Sequence, residues 1–165
     1  MLAVLYRCDL HNVKYFRGLN GLLGKMGSSP NIQLTLWLIS SFCTPVLFYG
    51  LDAMRLTKAQ LNSLTFPYNS AFMKLFSTYD LKIITQCQFY SGYLPLKFLL
   101  DLKCLNFYLL LGESCVSPAS ILFHWFGRAE RDTVASEYEI SDCNNSLSFV
   151  SLIWTAFEKH CKALG

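Results

Sequence analysis

Residues 41–69 read SFCTPVLFYGLDAMRLTKAQLNSLTFPYN, and this stretch sets the fold class. An uncharged apolar run ends at Tyr49-Gly50, an acidic step follows at Asp52, and Leu56-Thr57 then opens the clearest helix in the chain. Thr57 and Gln60 stand at T-x-x-Q spacing, in which the hydroxyl accepts from the third helical amide and the glutamine reaches back to the cap. Leu56 and Leu61 sit where a hydrophobic staple would close over that cap. Leu61, Leu64, Tyr68, Phe72 and Leu75 recur at spacings of three and four, which a helix gathers on one side. Pro67 removes a backbone donor and crowds the preceding turn, so two shorter helices or a sharp bend are expected there.

Upstream, no residue from Met26 to Leu51 is charged, a run long enough to imitate a membrane span. Asn31, Gln33, Thr35, Ser40, Ser41, Thr44 and Pro45 interrupt it with polar groups, and no Lys/Arg cluster flanks it. These features favour a buried central helix, with a span over 32–51 as the alternative. Ser28-Ser29-Pro30-Asn31 reads as an N-cap serine followed by proline at the first helical position. Pro45 is expected to kink or end the helix.

Further toward the N-terminus, Leu2–Tyr6 is short and apolar enough for a strand, and the pattern turns helical from Asp9. At about 100° per residue, Tyr15, Phe16, Leu19, Leu22, Leu23 and Met26 share one arc, and His11, Lys14, Arg17, Gly18, Gly21 and Lys25 share the other. Glycine weakens a helix interior. Two on one face fit close approach by a phosphate backbone or another helix, or simple drift. Gly27 is read as the helix end.

Downstream, Asp80–Phe89 is a short helix stopping near Gly92. Leu96–Leu111 follows Pro95, with Leu99, Leu102, Leu105 and Leu109 inward and Gly112 at its end. Ser117-Pro118 opens a helix over Ala119–Phe126, closed by Gly127, and residues 128–146 read as a charged surface helix and loop. Leu147–Leu164 places Leu147, Val150, Trp154, Phe157, Cys161 and Leu164 on one face, with Glu158 and Lys162 as an i,i+4 pair on another.

A chain of 165 residues with 53% hydrophobic and 15% aromatic content buries a core and is not disordered. Its net charge of +3 is uneven: ten Lys/Arg against four Asp/Glu give +6 over residues 1–110, and four against seven give −3 over 111–165. A polyanion would therefore prefer the N-terminal part. Seven cysteines, an odd number without C-x-x-C or zinc-finger spacing, point to free thiols in a reducing intracellular compartment, nucleus or cytoplasm. Met1–Tyr6 is too short for a secretory signal, and Arg7 follows it rather than preceding it.

Catalytic constellations are missing from the sequence. Two-metal polymerase chemistry needs paired aspartates, whereas Asp9, Asp52, Asp80, Asp101, Asp132 and Asp142 are scattered. Residues 18–25 imitate a phosphate loop, but Leu19 replaces a required glycine and Met26 the Ser/Thr that would hold magnesium. His160 and Cys161 are adjacent and diverge by about 100° on a helix. Cys8 with His11 gives only two ligands, too few for a structural zinc site. His124, beside Trp125 on an apolar helix, reads as a hydrogen-bonded core residue. No catalytic residue, metal site or cofactor is expected.

The run Pro45-Val46-Leu47-Phe48-Tyr49-Gly50-Leu51-Asp52-Ala53, followed by a leucine-rich helix ending in Asn69, resembles a segment just downstream of the palm in non-LTR retrotransposon reverse transcriptases. Relatives there carry P-V-L-L-Y-G-x-E-A. Cys8-Asp9-Leu10-His11, Phe16-Arg17-Gly18-Leu19-Asn20 and Leu22-Leu23-Gly24-Lys25 extend the likeness upstream. Phe72-Met73-Lys74-Leu75-Phe76, Gln86-Cys87-Gln88-Phe89, Gly92-Tyr93-Leu94-Pro95-Leu96 and Ser117-Pro118-Ala119-Ser120 extend it downstream, so it covers roughly residues 7–127. Asp52 stands where Glu is usual, Phe48 where Leu is, and Met54 where many relatives have an aromatic.

The resemblance implies an all-α, irregular bundle of about six to seven helices, with the Leu2–Tyr6 strand closing the palm. It implies a thumb-like region over residues 1–76 and a C-terminal helical region over 77–165. It also implies a truncated chain without polymerase activity, whose partners are the RNA/DNA template–primer of the parent polyprotein and the missing palm domain. His11, Lys14, Arg17 and Lys25 would contact the sugar–phosphate backbone. No small-molecule ligand is implied, and a membrane is disfavoured. A helical protein-interaction module and an integral membrane protein using residues 32–51 are the other readings.

Overall fold

The computed structural model describes residues 2–27, 31–51, 56–113, 121, 127–140 and 146–164. The chain is all-α, and among the described residues there is no strand. Two compact units divide it, Met1–Leu96 and Lys97–Gly165.

The first unit begins with α1, Leu2–Met26. Leu2–Tyr6 is its first turns and not a strand. Nothing in the sequence breaks the helix between Tyr6 and Asp9, and an isolated strand without a partner has no ladder to complete. Gly27 follows with φ +74°, the left-handed conformation that ends a helix at least cost to glycine.

The uncharged run is a broken helix: α2 (Ile32–Leu38), a single π-helical turn over Ile39–Cys43, and α3 (Thr44–Phe48). Counted as one, it brings the helical segments among the described residues to seven. Ser28–Pro30 lie outside the described residues, and the cap of α2 is Asn31, whose side chain accepts from the Leu34 amide at 3.1 Å. The π turn is the expected response to Pro45. The Thr44 amide reaches back to the Ile39 carbonyl, five residues earlier, and the Thr44 hydroxyl donates to the same oxygen at 3.1 Å. Widening the turn absorbs the missing proline donor without ending the helix. The run is not buried all round. Thr35, Leu36, Ile39, Cys43, Leu47 and Phe48 face the core, whereas Ile32, Leu34, Trp37 and Phe42 are exposed. Among the described residues, no helix is long and apolar enough to cross a membrane.

Helix α4, Lys58–Phe76, opens with the expected capping box: the Gln60 amide donates to the Thr57 hydroxyl at 3.3 Å, and the Thr57 amide donates to Gln60 Oε1 at 2.8 Å. Its inward stripe is Leu64, Tyr68 and Phe72. Contrary to the expected break, the helix runs unbroken through Pro67. Proline deprives the Ser63 carbonyl of its helical donor, and the Asn12 side-chain amide of α1 approaches that oxygen at 3.4 Å. On the far side, the Ser70 hydroxyl donates to the Pro67 carbonyl at 2.6 Å. The carbonyl that the proline orphans is thus approached from outside the helix, by Asn12.

Helix α5, Leu81–Ser91, is capped by Asp80, which accepts from the Lys82 amide at 2.9 Å, and is ended by left-handed Gly92. It folds back on α4. Gln88 donates to Asn69 at 3.0 Å, and the Tyr68 hydroxyl donates to the Leu94 carbonyl at 2.8 Å. These bonds attach α5 to the first unit, which ends at Leu96.

The second unit holds α6 (Leu96–Glu113, its first residue closing unit one), α7 (Arg128–Glu137) and α8 (Ser146–Leu164). Helix α6 runs past Gly112 to Glu113. Leu105 is fully buried as expected and Tyr108 joins it, while Leu99, Leu102 and Leu109 are half-buried. Tyr138 donates to Asp101 and Tyr108 to Glu130, so two phenol–carboxylate bonds pin α6 to the α7 segment. Helix α8 buries Phe149, Ile153 and Phe157 completely. Its inward face is turned from the expected one: Val150 is exposed and Trp154 and Cys161 are half-buried. The Phe98 ring of α6 lies 5.4 Å from that of Phe157 and fixes this orientation. The Glu158–Lys162 pair forms at 2.7 Å. The helix expected at Ala119–Phe126, with His124, lies outside the described residues save Ile121.

Candidate nucleic-acid interface

Helix α1 packs on α4 and on the π turn with α3, and that packing decides which of its residues face outward. His11, Tyr15 and Leu19, four residues apart, form the buried line at 7%, 1% and 0% exposure. His11 is therefore a correction to the sequence reading: it belongs to the packed side, one turn before Tyr15, and not to the outward basic face. Lys14, Arg17 and Lys25 are exposed as expected.

Both flanks of this face are held by contacts. On one flank, a Cβ added to Gly18 would meet Cys43 Sγ at 3.5 Å, so this glycine lies against the π turn. On the other, Asn12 reaches Ser63, and Lys74 Nζ of α4 donates to Asn20 Oδ1 at 2.7 Å. Gly21 and Gly24 lie in the open, where an added Cβ would meet nothing within 4 Å. Along the axis, eleven residues separate Lys14 from Lys25, about 16 Å at the helical rise.

The charge on this face is uncompensated. No residue from Leu10 to Leu51 is acidic, and Lys14, Arg17, Lys25 and Lys74 form no ion pair among the described residues. The phenols and the thiol beneath it keep their protons. Burial, reinforced by Tyr68 and Cys43 nearby, pushes the Tyr15 phenol well above the ordinary tyrosine value, and burial does the same to Tyr68. Cys43 is likewise held as the thiol by burial. The lysines and arginine therefore meet no phenolate or thiolate from below.

Sequence reading missed Lys74 and Asn20. Lys74 sits in Phe72-Met73-Lys74-Leu75, where only the docking of α4 on α1 reveals which side it joins. Elsewhere the side chains offer little chemistry. Among the described residues, no group of three or more His, Cys, Asp or Glu is placed to hold a metal ion. His160 lies against the Phe98 ring at 6.1 Å, and burial raises the Cys161 thiol, which disfavours the thiolate a nucleophile needs. No protein-family model matches the chain, and neither a curated protein nor a solved structure does.

Proposed function

We propose that this chain is the thumb and post-thumb portion of a non-LTR retrotransposon reverse transcriptase, and that its first unit grips an RNA–DNA backbone without reading sequence. The observation that carries this reading is the face of α1: Lys14, Arg17 and Lys25 exposed along about 16 Å, with no acid between Leu10 and Leu51. Lysine and arginine on one helical face supply the sequence-independent part of nucleic-acid binding, which acts through phosphates and weakens with salt. The resemblance of residues 7–127 supplies the family. Lacking paired aspartates, the chain makes no polymerase site of its own and depends on a palm for chemistry.

The test is binding of a mixed-sequence RNA–DNA hybrid across a salt series. These three phosphate contacts contribute about −2.7 to the slope of log K against log salt, and Lys14→Ala, Arg17→Ala and Lys25→Ala together remove that contribution. An unchanged slope in the triple variant rules this face out as the contact. Primer extension by the purified chain, with magnesium and nucleotides, would overturn the family reading itself.

A helical protein-interaction module is the second reading. It is favoured by the outward apolar side of α2 and the π turn, where Trp37 is 57% and Phe42 65% exposed. Salt-independent self-association, abolished by Trp37→Ser with Phe42→Ser, would support it.

A further inference from the structure

We propose that Gly21 is the floor of a saddle for a single sugar–phosphate strand, and that Lys74 of α4 supplies a fourth phosphate contact on its side. This deepens the reading just given and rests on it. At about 100° per residue, Lys14, Gly21 and Lys25 stand within about 20° of one outward line on α1, and Arg17 flanks it. The two cations at the start of this line and the one at its end bracket the glycine along the axis. At Gly21 itself there is no side chain, and an added Cβ would touch nothing within 4 Å. A strand lying there reaches the helix main chain while its phosphates meet ammonium and guanidinium groups on either side.

Lys74 closes the lateral side. Asn20, one residue before Gly21, accepts from Lys74 Nζ at 2.7 Å. The partner is a neutral amide, so it orients the ammonium without cancelling its charge and leaves two donors for a phosphate. Glycine at the floor also argues for a polyanionic strand over an anionic bilayer. An interfacial helix inserts bulky apolar groups, and between Arg17 and Lys25 the open positions carry Gly21 and Gly24.

The experiment uses the full chain and the same RNA–DNA hybrid, with phosphatidylserine vesicles as competitor. Each contact adds about 0.9 to the salt slope, so four contacts give about −3.6, or about a 150-fold loss over a fourfold rise in salt. Lys74→Gln is expected to reduce the slope by about 0.9 with an unchanged melting temperature. Gly21→Ala should raise the melting temperature, because alanine favours the helix and has room. Gly21→Leu should keep that gain and still weaken hybrid binding, because its branched chain fills the floor. Binding by Gly21→Leu at the wild-type level, or an unchanged slope in Lys74→Gln, overturns the saddle; if the Lys14/Arg17/Lys25 triple variant still loses binding, the broader reading survives. A wild-type chain that prefers the vesicles, or binds the hybrid without salt dependence, overturns both.

Discussion

The two compact units are fastened differently. Unit one is closed by neutral groups acting on the backbone: the Thr57–Gln60 box, Asn12 over the Ser63 carbonyl, and the Tyr68 hydroxyl on Leu94. Unit two is closed by ionisable pairs between its elements: Tyr138 on Asp101, Tyr108 on Glu130, and Lys97 to Glu137 at 3.0 Å. The contrast follows the charges of the two units: eight Lys/Arg against three Asp/Glu give +5 over residues 1–96, and six against eight give −2 over 97–165. In unit one Lys14, Arg17 and Lys25 are left over, exposed and without an ion pair among the described residues. In unit two Asp101, Glu130 and Glu137 are each bonded to another element. The exposed cationic face of α1 thus lies in the unit whose described fastenings make little use of charge.

Apolar cores are common to both units, so the largest effects should not distinguish them. Leu64→Ala in unit one and Phe149→Ala in unit two each remove a fully buried side chain. Expected costs are about 2–5 kcal/mol for the leucine and about 3–5 kcal/mol for the phenylalanine, read as lost hydrogen-exchange protection in α4 and α8. A cost below 1 kcal/mol for either would show that unit to be loosely packed, and the comparison would fail at its base.

Acid should separate the units. Burial holds the Asp101 carboxyl above its usual value of 3.8, opposed by the Tyr138 hydrogen bond and the Lys97 charge, while Glu137 adds to the rise. The folded form then holds this proton more tightly than the unfolded form. Its stabilisation is fully present below 3.8 and is lost as pH rises through the folded value. Unit two should therefore gain stability on acidification relative to Asp101→Asn, which lacks the group. Tyr138→Phe leaves the carboxylate without its donor and should cost about 1–3 kcal/mol at neutral pH. It should also move the acid gain to higher pH, since the bond it deletes is one that lowers the Asp101 value. Identical acid profiles for wild type and Asp101→Asn would remove this distinction. Alkali should not separate the units: Tyr15, Tyr68 and Tyr138 all keep protons above the ordinary 10.0, so both lose stability as pH rises beyond it.

Features that were legible in the sequence are those decided within one turn. The Thr57–Gln60 box, Gly27 and Gly92 as helix ends and the Glu158–Lys162 pair are set by residues three or four apart. What was not legible depends on partners far along the chain. His11 and Lys14 differ by less than a turn, and only the docking of α1 on α3 and α4 buries one and exposes the other. The same holds for α8, where Phe98, about fifty residues upstream, selects Phe149–Ile153–Phe157 over the neighbouring Val150–Trp154 line. Half of the candidate site was therefore readable as a pattern of cations. The glycines between them were readable too, whereas the Lys74 side and the removal of His11 were not.

The smallest expected effect tests the neutral fastening of unit one at its weakest point. Helix α4 runs through Pro67, and the Ser63 oxygen has another donor there, Asn12 Nδ2 at 3.4 Å, a long and exposed bond. Asn12→Ala should cost about 0.5–1 kcal/mol, at the low end for a hydrogen bond. In a Pro67→Ala background the helix supplies its own amide to Ser63, and the asparagine becomes redundant there. The cost of Asn12→Ala should then fall, leaving only its second contact, the Ser63 hydroxyl, also at 3.4 Å. Chemical denaturation of the four proteins of this cycle measures the coupling directly. Strict additivity would mean that Asn12 does not compensate the proline, and that α4 tolerates Pro67 through packing of its buried ring alone.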